Sequence, residues 1–345
     1  MIRMYERIAL VTAGGLVSGL VAAAIVFPPD KTTARPSVVL EAKKAENNVS
    51  PAVQPQLPSM RFLPAKARGS ETLLAGIDVR APDAHVPARL NSAENLDKTF
   101  TELGYNLESV RSGSQQVPRL FLASMPNDLG KVAEVSRKKS LFFKTVLPLV
   151  LQVNHEITED RTRLWDLQTR RKKGEKLGAA DRLWLIVMAE RYKAKQGDVA
   201  ELLKRVDIIP VSMALAQAAE ESGWGTSRFV REGNAMFGQW TTAKGVGLVP
   251  ENRDPDKTHK VKIFPSLLAS ARAYARNLNT HRAYRQLRTL RQQLRQKGQP
   301  VRGQQLVETL TSYSERGEAY VKGLRAIISV NKLKRLDEAV LNTDA

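Results

Sequence analysis

The sequence predicts a mainly helical α+β domain carrying one small β-lobe, and three observations lead there. Apolar residues recur at helical spacing through most of residues 130–335, and that pattern breaks once, between Phe237 and Phe264, where Thr, Gly, Pro and β-branched residues take over. The stretch upstream holds an apolar N-terminal segment and then no sustained period. The chain accordingly divides into a membrane or signal segment at 1–29, a largely disordered linker at 30–129, the domain at 130–335 and a tail at 336–345.

Residues 8–27 carry no charge and follow Arg3 and Arg7. A helix of that length spans about 30 Å, the thickness of bilayer hydrocarbon, so the segment reads as a membrane anchor. Ala22, Ala23 and Ala24 also fit the small-residue cleavage site of a secretory signal. Both readings imply export. From Pro28 to Pro126 the chain is rich in Pro, Ala, Ser and charge; short elements at 94–107 and 119–123 fit within it, but no function attaches to them.

The first helix is expected at 132–168, where Leu141, Phe142, Phe143, Val146, Val150, Val153, Ile157 and Leu164 cluster, with a kink or restart at Pro148. Further helices follow at 179–196, 199–203 and 211–222, the last opened by Pro210 where a helix accepts proline. Between Phe237 and Phe264, Val246, Val249, Val261 and Ile263 flank a polar run, the pattern of a small hairpin or irregular lobe. Helical spacing resumes at 267–279, 284–296, 304–313 and 318–333. A cleft is expected where lobe and helices meet.

Composition narrows the chemistry. There is no cysteine, which excludes disulfides, thiolate nucleophiles and cysteine-bound zinc. The four histidines are never spaced as metal ligands on a helix, so neither a metal nor a cofactor is indicated. The net charge of +19 calls for a polyanionic neighbour, whether nucleic acid, anionic lipid or cell-wall polymer. The basic run from Arg282 to Lys297 lacks any accompanying RNA-binding or helix-turn-helix motif, and export would remove it from cytoplasmic nucleic acid. No nucleic acid partner is expected; the run reads as a solvated face or a contact for wall carboxylates or anionic lipid.

In the 211–222 helix, rotation of about 100° per residue places Val211, Ala214, Leu215, Ala218 and Ser222 on one stripe. Glu221 lies on its edge and Glu220 on the opposite side. Glu221 also occupies the last turn, where the helix dipole disfavours negative charge, and Gly223 is a natural C-cap. Partial burial and the dipole both raise a carboxyl pKa, as a general acid requires near neutral pH. A structural glutamate satisfies the same local facts, and the wider motif decides between them.

That motif is Leu215-Ala216-Gln217-Ala218-Ala219-Glu220-Glu221-Ser222-Gly223-Trp224-Gly225-Thr226-Ser227, followed by Gly233-Asn234-Ala235-Met236-Phe237-Gly238. It resembles the glucosaminidase family that includes flagellar and autolytic hydrolases, and within it the Bax-type proteins of Gram-negative bacteria. The resemblance covers about residues 139–333. It implies a lysozyme-like fold and cleavage of peptidoglycan strands on the reducing side of N-acetylglucosamine. The setting it implies is the cell envelope, with a periplasmic domain either tethered to the inner membrane by residues 8–27 or freed by signal cleavage.

The family's catalytic glutamate matches Glu221, with Glu220 standing where leucine is usual. Asn234 and Phe237 match its Asn-Leu-Phe-Gly turn, and Tyr313 and Tyr320 match its late tyrosines, so the resemblance implies a cleft lined by these groups. Glu251 is the candidate second carboxylate, with Asp254 and Asp256 behind it, although the lobe departs from the family's Thr-Glu-Tyr-like sequence. Trp224 and Trp240 offer flat faces to sugar rings, Trp224 suiting the core equally well. Tyr313 either orients water or the sugar's acetamido group through its hydroxyl or simply packs, the two readings being equally open, and Tyr320, placed with the cleft lining by the resemblance, suits packing. Two other functions compete: a lytic transglycosylase, whose usual Gly-Leu-Met-Gln segment is absent, and a non-catalytic wall-binding protein.

Overall fold

The computed structural model describes residues 92–241, 247–250 and 260–342. The apolar segment at 8–27 and the acids Glu251, Asp254 and Asp256 lie outside them. Among the described residues no helix is long and apolar enough to cross a membrane.

The fold is helical, as its spacing predicts. In order it runs α1 (Ala93–Glu102), α2 (Leu107–Ser112), α3 (Val135–Lys172), α4 (Ala179–Arg191), α5 (Val199–Arg205), α6 (Val211–Ser222) and α7 (Arg228–Gly233). Two short antiparallel strands follow, β1 (Trp240–Thr241) and β2 (Lys260–Val261), with Trp240 opposite Val261. Then come α8 (Leu267–Thr280), α9 (Arg285–Gln296), α10 (Gly303–Leu306) and α11 (Glu318–Val330), and a closing 3-10 turn at Leu333–Glu338. The expected kink at Pro148 does not divide α3, which runs through the proline with Leu147, Pro148 and Leu149 all buried.

At the centre lies α6. Every residue of it except Glu220 is buried, so the helix is enclosed on all sides rather than along the one stripe its spacing implies. Small side chains make this possible, since Ala214, Ala216, Ala218 and Ala219 let α3, α10, α11 and the closing turn approach closely. At Gly303 the approach is so close that a Cβ would overlap Ser212 Oγ and Met213 N. Pro210 offers no capping side chain, and the N-terminus of α6 is capped from a distance: Asp337 accepts from Ser212 N at 2.7 Å, Ser212 Oγ at 2.8 Å and Gly303 N at 3.1 Å. Burial nonetheless pushes the Asp337 carboxyl up, against these bonds.

The ordered fold extends beyond both expected boundaries. Upstream of 130, α1 is capped by Ser92 and buries Ala93, Leu96 and Phe100, and Leu107, Val110, Val117, Leu122, Met125 and Leu129 join the same core as α6. The tail is also tied in, because Val117 N donates to the Val340 carbonyl at 2.9 Å and Asn342 N donates to the Val117 carbonyl at 2.8 Å. The physical reason is that these segments form elements too short to show a period, and each is completed by a partner distant in sequence. The β-lobe keeps a small cluster of its own, Ala235, Val261 and Phe264.

Candidate active site

Glu221 sits in the last turn of α6, and the chain leaves that turn through Gly223, Trp224 and Gly225, all with positive φ (56°, 59° and 78°). Ser222 secures the exit: its hydroxyl donates to the Ala218 carbonyl and accepts from Gly225 N at 2.8 Å. Glycine at 225 answers to its φ of 78°, and a Cβ there would in addition crowd Phe142 Cδ2 at 3.1 Å and displace the end of Met125. Trp224 is half-buried, set edge-on to Phe142 and Phe143 with centroids 5.7 and 5.4 Å away, and Lys139 Nζ lies 4.8 Å from its ring centre. Of its two expected uses, packing against α3 is the one this geometry displays.

Glu221 itself is 3% exposed. Its Oε1 accepts from the Tyr320 hydroxyl at 2.7 Å, that hydroxyl accepts from Gln217 Nε2 at 3.1 Å, and Gln217 Oε1 accepts from the Tyr274 hydroxyl at 2.7 Å. Gln217 is one turn before Glu221 on α6 and therefore shares its face. The chain of bonds has one direction, from α8 through α6 and α11 back to α6, and each donor is committed. An acidic proton on Glu221 is thereby left to Oε2, the oxygen that Tyr320 does not engage.

Stacked rings enclose this relay. Phe237 lies flat on Tyr274, with centroids 3.9 Å apart and 9° between planes, and Tyr313 lies parallel to Tyr320 at 5.6 Å. Tyr284 tilts against Tyr313 at 5.7 Å, and the Tyr313 hydroxyl donates to the Phe237 carbonyl at 3.4 Å. Burial in this setting pushes the Glu221 carboxyl up to about 8; the Tyr320 bond and the more distant Arg316 oppose the rise, and Glu220 adds to it. Burial also holds the hydroxyls of Tyr274, Tyr313 and Tyr320 well above their usual range, so all three stay protonated donors.

Glu220 faces away from this core and pairs with Arg316, whose guanidinium lies 5.3 Å from the Tyr320 ring centre. The two adjacent glutamates are thus inequivalent in the way the helix phase predicts. Among the described residues no group of three His, Asp or Glu side chains is placed to hold a metal ion.

The remaining predicted residues separate into layers. Phe237, Tyr313 and Tyr320 are each at most 1% exposed, so they form the floor beneath Glu221 and present no open face. Asn234 has φ 51° and donates through Nδ2 to the Phe264 carbonyl at 3.1 Å, fixing the bend from α7 into the lobe. Trp240 is half-buried on β1 and packs against the main core. Of the two tyrosines, Tyr320 bonds to Glu221, whereas Tyr313 packs, one of its two expected uses, and donates to the Phe237 carbonyl. Gln217, Tyr274 and Arg316 were not expected. Gln217 carries a signal in retrospect, as the one uncharged amide among small apolar residues of α6, a turn before the glutamate; Tyr274 has none in its local sequence.

Residues 197–333, which contain every member of the relay, match the Glucosaminidase family, described as mannosyl-glycoprotein endo-beta-N-acetylglucosaminidase. Protein bax of Escherichia coli (strain K12) is 37% identical over 216 residues, covering 61% of this chain and 75% of that one. No solved structure matches. The chain belongs to the glucosaminidase family of glycosidases, among its Bax-type members.

Proposed function

We propose that the protein hydrolyses peptidoglycan at the β-1,4 bond from N-acetylglucosamine to N-acetylmuramic acid, with Glu221 as general acid. One observation carries the reading: a carboxyl enclosed in the core, raised to about 8, with a phenol hydroxyl donating to one of its oxygens. At neutral pH such a group holds a proton on Oε2 and can deliver it to the glycosidic oxygen as the bond breaks. The carboxylate left behind keeps the Tyr320 bond, which strengthens as charge develops. The same hydroxyl that lowers the pKa therefore also stabilises the product of proton transfer.

Glu251 is the residue we propose as the second carboxylate, and the half-buried Trp240 is the ring we propose for sugar contact, with Trp224 and Asn234 shaping the wall. The envelope is the proposed location, with residues 8–27 acting as anchor or export signal. Mass spectrometry of sacculus digests tests the reading. Wild type should release fragments with N-acetylglucosamine at the reducing end, and Glu221→Gln should release none. Anhydro-muramyl ends instead would assign a lytic transglycosylase.

A further inference from the structure

At the opposite end of α6 from Glu221, three guanidinium groups converge on a single carboxylate. Asp207, 2% exposed, is 2.9 Å from Arg295 Nη2, 3.6 Å from Arg291 Nε and 3.8 Å from Arg161 Nη1. One negative charge thus faces three positive ones. These side chains are held in place, since Arg161 also donates to the Leu203 and Val206 carbonyls, and Arg291 donates to the Asn279 side chain at 2.7 Å.

Arg161, Asp207 and Arg295 of this cluster line a concave pocket of about 340 Å³ between the C-terminal half of α3, α5 and α9, with Arg291 buried behind them. That volume lies in the range of roughly 300–1,000 Å³ typical of ligand sites. Lys172 and Lys204 add two more cations to the lining, while Asp207 is its one acid. Trp165 contributes a ring that is half exposed, and Gln168 and Gln292 contribute amides. The lining therefore offers guanidinium and ammonium groups for carboxylates, amides for peptide groups and an apolar face for an alkyl side chain. Asp207 lies before the N-terminus of α6 and Glu221 in its last turn, so the helix from Val211 to Glu221, about 15 Å long, stands between the two.

We propose that this pocket binds a carboxylate-bearing peptide, namely the acidic stem peptide of the wall polymer whose glycan is presented to Glu221. The identity of the peptide rests on the function proposed above; the charge and shape of the pocket do not. A basic surface lacking concavity and amides would suit an inorganic anion equally well, and the amides and Trp165 are what favour a peptide here.

Titration calorimetry on the full chain carrying Glu221→Gln tests this, using the free tripeptide alanyl-γ-glutamyl-diaminopimelic acid, its carboxyl-amidated form, and inorganic phosphate. Neither Lys172 nor Lys204 forms an ion pair among the described residues, so K172Q/K204Q should keep the fold. The acidic peptide should bind and perturb Trp165 fluorescence, the amidated form should not bind, and K172Q/K204Q should weaken binding about tenfold. Equal binding of the amidated peptide, undiminished binding in K172Q/K204Q, or phosphate binding as tight as peptide would each overturn the proposal. Cleavage of peptide-free glycan by wild type separates the two readings. Cleavage without peptide binding removes this site alone, whereas peptide binding by a chain that cleaves nothing supports this site and removes the proposed hydrolase.

Discussion

Replacing Tyr320 by Phe deletes one oxygen and tests how the core controls Glu221. That hydroxyl donates to Glu221 Oε1 at 2.7 Å and accepts from Gln217 Nε2 at 3.1 Å. The donated bond is the largest influence restraining the carboxyl, whose pKa burial raises to about 8. A hydrogen bond to a charged group contributes about 1.5–3 kcal/mol, and one pKa unit corresponds to about 1.4 kcal/mol. The bond favours the carboxylate, so its loss should raise the pKa further, by roughly one to two units. Two effects follow for kinetics on soluble glycan chains. The alkaline limb of the kcat/KM profile should move to higher pH by that amount. At about pH 6, where both proteins are protonated, kcat should fall about 10- to 100-fold, because the carboxylate formed at proton transfer has lost its donor. Initial rates of reducing-end release across the pH range provide the measurement. A limb that moves to lower pH, or an unchanged kcat at about pH 6, would refute the assignment of Tyr320 as the group that stabilises ionised Glu221.

Arg316→Gln and Glu220→Gln should displace the same limb in opposite directions, since Arg316 lowers the Glu221 pKa and Glu220 raises it. Each shift should stay below about one unit and shrink in salt, because the pair is partly exposed. Asp337→Asn should lower the urea midpoint, at a cost of about 1–3 kcal/mol, by weakening the remote cap of α6 while leaving the pH profile of activity in place. Glu221→Gln should stabilise the fold near neutrality. Between the ordinary carboxyl pKa of 4.5 and about 8 the native state keeps a proton that the unfolded chain releases, so wild type loses stability as pH rises through that window. The variant escapes the loss, and its advantage in urea melts should grow from near zero at about pH 4 to about 3 kcal/mol at pH 7.

Much of the helical frame is legible in the sequence because long helices repeat their apolar residues often enough to be counted. The bounds of α6 coincide with the spacing from Pro210 to Gly223, and α3 and α8 lie within a few residues of their expected ends. What local reading misses is whatever is completed at a distance. Leu107 and Val110 of α2 gain meaning only against the closing turn, and Val117 only against Leu341. A composition rich in Pro, Ala and Ser conceals such elements, since each is too short to establish a period by itself.

The site divides in the same way. That Glu221, rather than Glu220, enters the core follows from helix phase, and that its proton is retained follows from burial, both of which begin in the sequence. Helix phase also selects Gln217 once Glu221 is fixed, because four residues make one turn. It cannot choose between Tyr313 and Tyr320. Both are buried and their rings are parallel, yet only Tyr320, in the first turn of α11, brings its hydroxyl to Glu221. The choice is made by where α11 docks on α6, and Tyr274 enters through a third helix that the Arg272–Glu156 pair fastens to α3 at 2.7 Å. The proposed proton donor is therefore a property of one helix, while the control of its proton belongs to three. Substitutions that loosen the docking of α8 or α11 should alter the pH profile before they abolish the fold.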